Sequence, residues 1–239
     1  MWWPAAQVVS EAPAAPALAV PPTPGTAPPV DEQLAKVNQY HALDEGDTWY
    51  PVSQRWKRKW EAYCRDPATA PPPGPVDNDD IMSSTEQTLS TFSMENIDFA
   101  FLHESQWNLL VQWYGALQPG MPRKVIRVQG GRGSTLQIET HPLRFNVFVS
   151  NRRDEPKQIV LSKTRTYADV LRLACEALDV PDPSHARLWT YFGGSKDRIV
   201  RDMDRPLSED VFNTANGARD LMVEVQDENG NWQEQCVLG

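Results

Sequence analysis

Trp49-Tyr50-Pro51-Val52-Ser53-Gln54-Arg55-Trp56-Lys57-Arg58-Lys59-Trp60 is the stretch on which the reading of this chain turns. Ser53 reads as a helix N-cap, because its hydroxyl can accept from one of the free backbone N–H groups of the turn that follows. Beyond it Trp56, Trp60 and Cys64 recur at i, i+4 and i+8 with Tyr63 beside them, which builds one apolar face, and Asp66-Pro67 stops the helix. The basic run Arg55 to Lys59 then falls on the solvated side of that helix and is not read as a phosphate patch or nuclear signal. Trp56 and Trp60 are assigned to a core, and so is Trp107.

Working outward, Asp31 to His41 reads as a short amphipathic helix with Leu34, Val37 and Tyr40 or His41 inside, and Gly46-Asp47 turns the chain into Trp49. A proline-rich connector, Pro71-Pro72-Pro73-Gly74-Pro75, leads to Asp77-Asn78. Residues 79–95 are polar and Ser/Thr-rich and are expected to form a mobile excursion. Ile97 to Leu102 alternates as a strand does, and Glu104-Ser105 supplies a cap for a third helix carrying Trp107, Leu110, Val111 and Tyr114, closed by Gly115. Lys124 to Val128 reads as a last strand. Three helices and a small sheet around a tryptophan-rich core follow from these patterns.

The order of the elements, Trp49 to Trp60, then Gly74-Pro75-Val76-Asp77-Asn78, then Trp107 to Gly115, resembles the DUSP domain found near the N-terminus of many ubiquitin-specific proteases. The resemblance implies a non-catalytic recognition domain in which a GPIDN-like loop packs over the first two helices. It also implies that this loop, with the aromatics before the second helix, forms part of the recognised surface. The candidate partner-binding residues are therefore Trp49, Tyr50, Gly74, Pro75, Asp77 and Asn78, with the two aromatics as exposed anchors.

After Gly130-Gly131-Arg132-Gly133, read as a flexible joint, the pattern changes. Leu143 to Val149 and Gln158 to Lys163 are two strands, and Tyr167 to Leu178 is a helix with Val170, Leu171, Ala174 and Leu178 inside. Arg187 to Phe192 and Leu221 to Val225 are further strands. This is the β-grasp order of a ubiquitin-like domain. The segments Ala186-Arg187-Leu188-Trp189 and Val223 to Trp232 also resemble the ubiquitin-like domain that follows DUSP in the DUSP–UBL group of these proteases. The fold class expected is α+β: a three-helix DUSP domain with a small β-sheet, then a β-grasp domain. The divisions expected are a disordered Pro/Ala-rich leader at 1–30, the DUSP domain at 31–128, a linker and entry strand at 129–142, the ubiquitin-like domain at 143–234 and a tail at 235–239.

Composition narrows the function further. Residues 1–30 hold eight prolines and eight alanines with Glu11 as the single charge, too little apolar surface to offset the entropy of ordering. The formal charge is −9, with nine basic against fourteen acidic side chains in 31–128 and fourteen against seventeen in 129–239, a balance that disfavours non-specific nucleic-acid binding. No basic n-region and no apolar run of membrane-spanning length is read, so the expected setting is the cytoplasm or nucleus. Cys64, Cys175 and Cys236 are far apart and His41, His103, His141 and His185 lack ligand spacing, so neither a disulfide framework nor a metal or cofactor site is read.

A thiol protease needs a thiolate beside an imidazole held by a third group. Nothing matches the Gly-Asn-Thr-Cys box or the later His box of the family that the chain resembles, and the end at Gln235 to Gly239 is not the Gly-Gly tail of a conjugated modifier. The reading is a non-catalytic interaction or regulatory module of the ubiquitin system, with protein partners that include a deubiquitinase catalytic domain or its substrate. The alternative is the N-terminal fragment of an active cysteine-type deubiquitinase whose catalytic domain lies outside this chain.

Overall fold

The computed structural model describes residues 8–10, 27–83, 88–130, 133–209 and 218–232. They form a mixed α+β structure with four α-helices and two sheets, divided into two compact units. No helix among them is long and apolar enough to cross a membrane. The tail at 235–239, with Cys236, and most of the leader lie outside the described residues.

The first unit holds residues 27–127 and 134–141. Its helices are α1 (Val30–Val37), α2 (Gln54–Arg65) and α3 (Glu104–Tyr114). Its strands are β2 (Thr48–Ser53), β3 (Phe99–His103), β4 (Arg123–Gly130) and β5 (Gly133–Ile138), in the sheet order β3-β2-β4-β5. Helix α2 forms as its sequence dictates: Ser53 Oγ accepts from the Trp56 amide at 3.3 Å, and Trp56, Trp60 and Cys64 are all buried. They pack with Val52, Trp107, Leu110 and Trp113 into one cluster.

Several elements depart from the sequence reading. Helix α1 ends at Val37, and Tyr40 is 86% exposed instead of lining the inner stripe. Its place is taken by Gln33, one turn before Val37 and equally buried. The helix stops because Gln106 Nε2 takes the carbonyls of Val37 and Gln39, both at 2.8 Å. Helix α3 is capped by His103, not by Glu104-Ser105; its Nδ1 accepts from the Ser105 amide, while Gln106 Oε1 accepts from the His103 amide at 2.8 Å. The excursion expected at 79–95 is anchored on both sides of residues 84–87, which are not described. Ile81 and Leu89 are fully buried against Phe99 and Met121 in a cluster of their own. Residues 129–142, read as a linker with an entry strand, hold β5 beside β4.

Gln33 ties the three helices together. Its Oε1 accepts from Trp60 Nε1 at 3.2 Å and from the Tyr114 hydroxyl at 2.6 Å, with Cys64 Sγ at 3.8 Å, while Nε2 donates to the Pro28 carbonyl at 2.8 Å. Indole and phenol groups buried without an acceptor are costly, so one glutamine oxygen serves α2 and α3 at once. Burial, aided by the neighbouring Cys64, pushes the Tyr114 pKa up to about 12, which keeps the phenol a donor.

The second unit holds a sheet of order β1-β7-β6-β10-β8-β9. Its strands are β1 (Val8–Ser10), β6 (Leu143–Val149), β7 (Arg152–Leu161), β8 (Ala186–Phe192), β9 (Ser195–Ile199) and β10 (Ala218–Val225). Helix α4 (Tyr167–Ala177) starts at a capping box, in which the Thr166 hydroxyl accepts from the Asp169 amide and the Asp169 carboxylate accepts from the Thr166 amide. Its Tyr167, Val170, Leu173 and Ala174 pack on the face of the sheet lined by Phe145, Val147, Ile159, Leu188, Leu221 and Val223. Strand β10 runs parallel to β6 and antiparallel to β8, which places the last strand in the middle of the sheet. Within the stretch read as the leader, the described residues Val8, Val9 and Ser10 form β1 and run parallel to Gln158, Ile159 and Val160. Two valines favour extended backbone, and the edge of β7 offers it a ladder.

Replacing Gln33 by Leu preserves size but strips Trp60 and Tyr114 of their acceptor. The expected loss is about 3 kcal/mol of unfolding free energy, the cost of leaving buried donors unmade. Urea denaturation followed by tryptophan fluorescence measures it, and a loss under about 1 kcal/mol would show that the three helices do not rely on this hub.

Candidate interaction site

The loop after the proline-rich connector is built around Asn78, which is only 2% exposed. Its Oδ1 accepts from the Ser53 amide at 2.9 Å and its Nδ2 donates to the Pro51 carbonyl at 3.1 Å. These are two groups on one edge of β2, spaced as a neighbouring strand would meet them. Strand β4 pairs with β2 only at Thr48 and Trp49, and from there the Asn78 carboxamide takes over as its partner. The same open edge admits Pro51, which has no N–H to offer.

The rest of the loop is held on both sides. Trp56 Nε1 donates to the Gly74 carbonyl at 3.3 Å, and Gly74 itself adopts φ +73°, a conformation costly for any residue with a Cβ. Buried Val76 exchanges backbone hydrogen bonds with Gly115 and Leu117, and Gln118 receives the Asn78 amide at 2.8 Å. Asp77 turns outward. It accepts from the Asp79 amide at 3.1 Å and from Gln118 Nε2 at 3.2 Å, and it pairs with Arg55 at 2.9 Å. Partial burial pushes its carboxyl up, but the Asp79 amide, Gln118 and the Arg55 charge outweigh that and hold it below the usual carboxylate range. Asp80 also faces Arg55, at 3.4 Å, and receives the Ser53 hydroxyl at 2.9 Å.

Trp49 and Tyr50 stand differently from the exposed anchors expected. Successive strand residues face opposite sides of a sheet, so the two rings part. Trp49 is 9% exposed and lies edge-on to His41 and His103, whose rings stack at 4.3 Å. Its Nε1 is buried without a hydrogen-bond partner among the described residues. Tyr50 stacks on Trp107 at 5.1 Å, and Gly120 lies so close to the pair that a Cβ there would sit 2.8 Å from the Tyr50 ring and 3.0 Å from that of Trp107. Asn78 meets β2 at Pro51 and Ser53, beyond both aromatics in the strand. Gly74, Pro75, Asp77 and Asn78 come together in one loop, whereas the rings of Trp49 and Tyr50 pack on His103 and Trp107. The accessible surface of the loop includes Pro75, Asp77, Asp79 and Asp80 with Arg55 and the exposed Leu117.

Arg55, Gln118 and Leu117 were not read from the sequence as part of this surface. Only the i+2 spacing of Ser53 and Arg55 hinted that a helix start would present a cation beside its cap. In the second unit the unread feature is Glu224, whose side chain is 0% exposed. It accepts from Arg187 Nε and Lys196 Nζ, both at 2.6 Å, and from Trp189 Nε1 at 2.8 Å. The Arg187 guanidinium also lies over the rings of Trp189, at 5.3 Å, and Trp232, at 4.1 Å. Burial pushes the Glu224 carboxyl up, yet Lys196, Arg187 and Trp189 together hold it below its ordinary value.

The DUSP domain model matches residues 46–127, from the turn before β2 into β4. The chain carries a DUSP domain. Most of the chain is homologous to the N-terminal parts of ubiquitin-specific proteases. It is 31% identical over 214 residues to Ubiquitin carboxyl-terminal hydrolase 5 of Arabidopsis thaliana, covering 78% of this chain and 22% of the relative. It is 27% identical over 239 residues to Inactive ubiquitin-specific protease 5 of Oryza sativa subsp. japonica, covering 87% of this chain and 60% of the relative. To Ubiquitin carboxyl-terminal hydrolase 4 of Pongo abelii it is 24% identical over 206 residues, covering 82% and 21%. The chain thus spans between a fifth and three fifths of the length of these relatives. The loop from Gly74 to Asn78 lies inside the DUSP match, and the Glu224 cluster lies outside it.

Substitution separates the roles of the loop residues. Asn78→Ala leaves the Pro51 carbonyl and Ser53 amide unpaired and is expected to lower stability by about 2 kcal/mol. Asp77→Ala, which loses a half-exposed ion pair, is expected to cost less than about 1 kcal/mol. Thermal denaturation of the two variants side by side checks the ranking, and equal losses would refute it.

Glu224 makes a second prediction, in pH. Its folded carboxyl titrates below the unfolded value of about 4.3, so its contribution is complete above that pH and fades as pH falls through the folded value. Glu224→Gln should cost about 3 kcal/mol at pH 7 and flatten the acid limb of the stability profile. An unchanged acid limb would show that another carboxylate governs it.

Proposed function

We propose that this chain acts as a non-catalytic interaction or regulatory module of the ubiquitin system: a three-helix DUSP domain followed by a ubiquitin-like β-grasp domain. The β-grasp reading is supported by the strand hairpin β6–β7, the crossing helix α4, and a last strand inserted parallel to the first between β6 and β8. The observation that carries the functional reading is the state of the two thiols among the described residues. Cys64 and Cys175 are buried, and burial pushes each pKa up to about 11, helped by Glu61 and Asp182 respectively. A nucleophilic cysteine needs the opposite shift. The surface offered in its place is a rigid loop with an apolar side chain, Leu117, amid a polar rim.

The partner we infer is a protein, either a deubiquitinase catalytic domain or its substrate, met in the cytoplasm or nucleus. One observation favours a second reading. Because the chain spans about a fifth of the length of its Arabidopsis relative, it also fits the N-terminal fragment of an active cysteine-type deubiquitinase.

Two measurements test the proposal. The purified chain is expected neither to release fluorophore from a ubiquitin conjugate nor to be labelled by a thiol-reactive ubiquitin probe. Turnover abolished by Cys64→Ser or Cys175→Ser would overturn it. Titration against the catalytic domain of the Arabidopsis relative tests the surface. The Asp77→Ala, Leu117→Asp double variant should weaken binding about tenfold, or ~1.4 kcal/mol. Binding that survives unchanged would move the interface off this loop.

A further inference from the structure

Sheets end in strands whose outer N–H and C=O groups lack partners, and such edges are templates for a further strand. In the second unit the strand after β6 in the sheet order is β7, and what lies on its outer edge comes from more than a hundred residues upstream. Val8, Val9 and Ser10 run parallel to Gln158, Ile159 and Val160. The other five strands of the sheet all lie between Leu143 and Val225, and β1 meets the sheet at its edge, through β7 alone. Strand β1 is therefore an added strand at the end of the order.

The chemistry of the added segment is specific. Ala5-Ala6-Gln7-Val8-Val9-Ser10-Glu11 holds two adjacent β-branched residues, no charge before Glu11, and a proline on each side, at Pro4 and Pro13, that limits how far a ladder can extend. Three parallel pairs supply few hydrogen bonds, and parallel pairing is the slightly weaker kind. What favours this segment over a free peptide is its tether. Residues 11–29, with seven prolines, join it to α1, and a tethered ligand competes at an effective concentration on the order of millimolar.

We propose that the outer edge of β7, at Gln158 to Val160, is a strand-addition site for an extended, uncharged, β-branched segment of a partner protein, and that residues 8–10 occupy it in cis as a built-in competitor. Recognition at such an edge comes from main-chain hydrogen bonds, with side-chain alternation setting preference. A partner binds only by displacing the leader, so the tether raises the threshold concentration for capture. This inference does not rest on the DUSP loop and stands or falls separately from it.

The test uses the full chain and a synthetic peptide of sequence Ala5 to Glu11 with blocked termini. In the native chain the β7 amides between Lys157 and Leu161 that do not bond β6 are expected to be protected from hydrogen exchange, and added peptide at 100 µM should leave the spectrum unchanged. In Val9→Pro, whose ring fixes φ and leaves no N–H at the centre of β1, the same amides should exchange at least tenfold faster while the core amides of β6 and β10 keep their protection. The peptide should then bind this variant with shifts confined to β7 and its flanks, whereas a peptide carrying the same proline should not. The Val8→Gly, Val9→Gly double variant keeps the N–H groups and weakens the strand, so intermediate exchange is expected from it. Unchanged exchange in both variants would overturn cis occupancy. Faster exchange without peptide binding would overturn the strand-addition site. A dimer of the native chain that Val9→Pro dissociates would show the edge filled by a second copy and overturn the cis assignment.

Discussion

One side-chain amide stands in for a missing strand, and much of the first unit is arranged around it. Strand β4 leaves β2 after Trp49, so the main-chain groups of Pro51 and Ser53 would face an open edge. Asn78 closes that edge with its carboxamide. Burying those groups unpaired would be costly, and the solution has consequences on both sides. On one side Ser53 is held where its hydroxyl can cap α2. On the other, the chain from Gly74 to Asn78 is drawn down onto α2, with Val76 buried and Asp77 turned outward. The loop's exposed chemistry, an aspartate between a cation and a proline, is a by-product of the buried asparagine beside it.

Glutamine performs the corresponding task among the helices. Gln33 serves donors from α2 and α3 through one oxygen, and Gln106 closes the end of α1 while completing the cap of α3. A core rich in tryptophan and tyrosine carries indole and phenol donors inward with its apolar surface. Each needs an acceptor where water is excluded. Trp49, whose Nε1 has no partner among the described residues, is the exception that shows how consistently the others are met. In the second unit the same accounting is done with charge, as Glu224 gathers an arginine, a lysine and an indole on the face of the sheet away from α4.

For recognition, the arrangement separates two kinds of surface. The DUSP loop is preorganised by buried contacts, so little entropy would be lost on presenting it. The edge of β7 is a main-chain surface, and what it accepts depends on the extended conformation of the visitor more than on a pocket. Neither involves Cys64 or Cys175, whose burial keeps them protonated.

Much of this architecture was legible in the sequence. The i, i+4, i+8 row of Trp56, Trp60 and Cys64, the Ser53 cap, the strand at 143–149 and the helix from Tyr167 follow from periodicity and capping, which act within a few residues of each other. The DUSP pattern was legible for the same reason, since its marks are local blocks in order. What tertiary structure decided was every polar partnership across distance. Nothing local says that Gln33 is buried and Tyr40 exposed, because that choice is made by Trp60 and Tyr114, tens of residues away. Nor could spacing reveal that Trp49 and Tyr50 face opposite sides of a strand, because the strands that pair with it come from Phe99 to His103 and from Arg123 onward. The strand at Val8–Ser10 was hidden too: composition gives the leader little apolar surface, and the partner of these three residues, Gln158 to Val160, lies far along the chain.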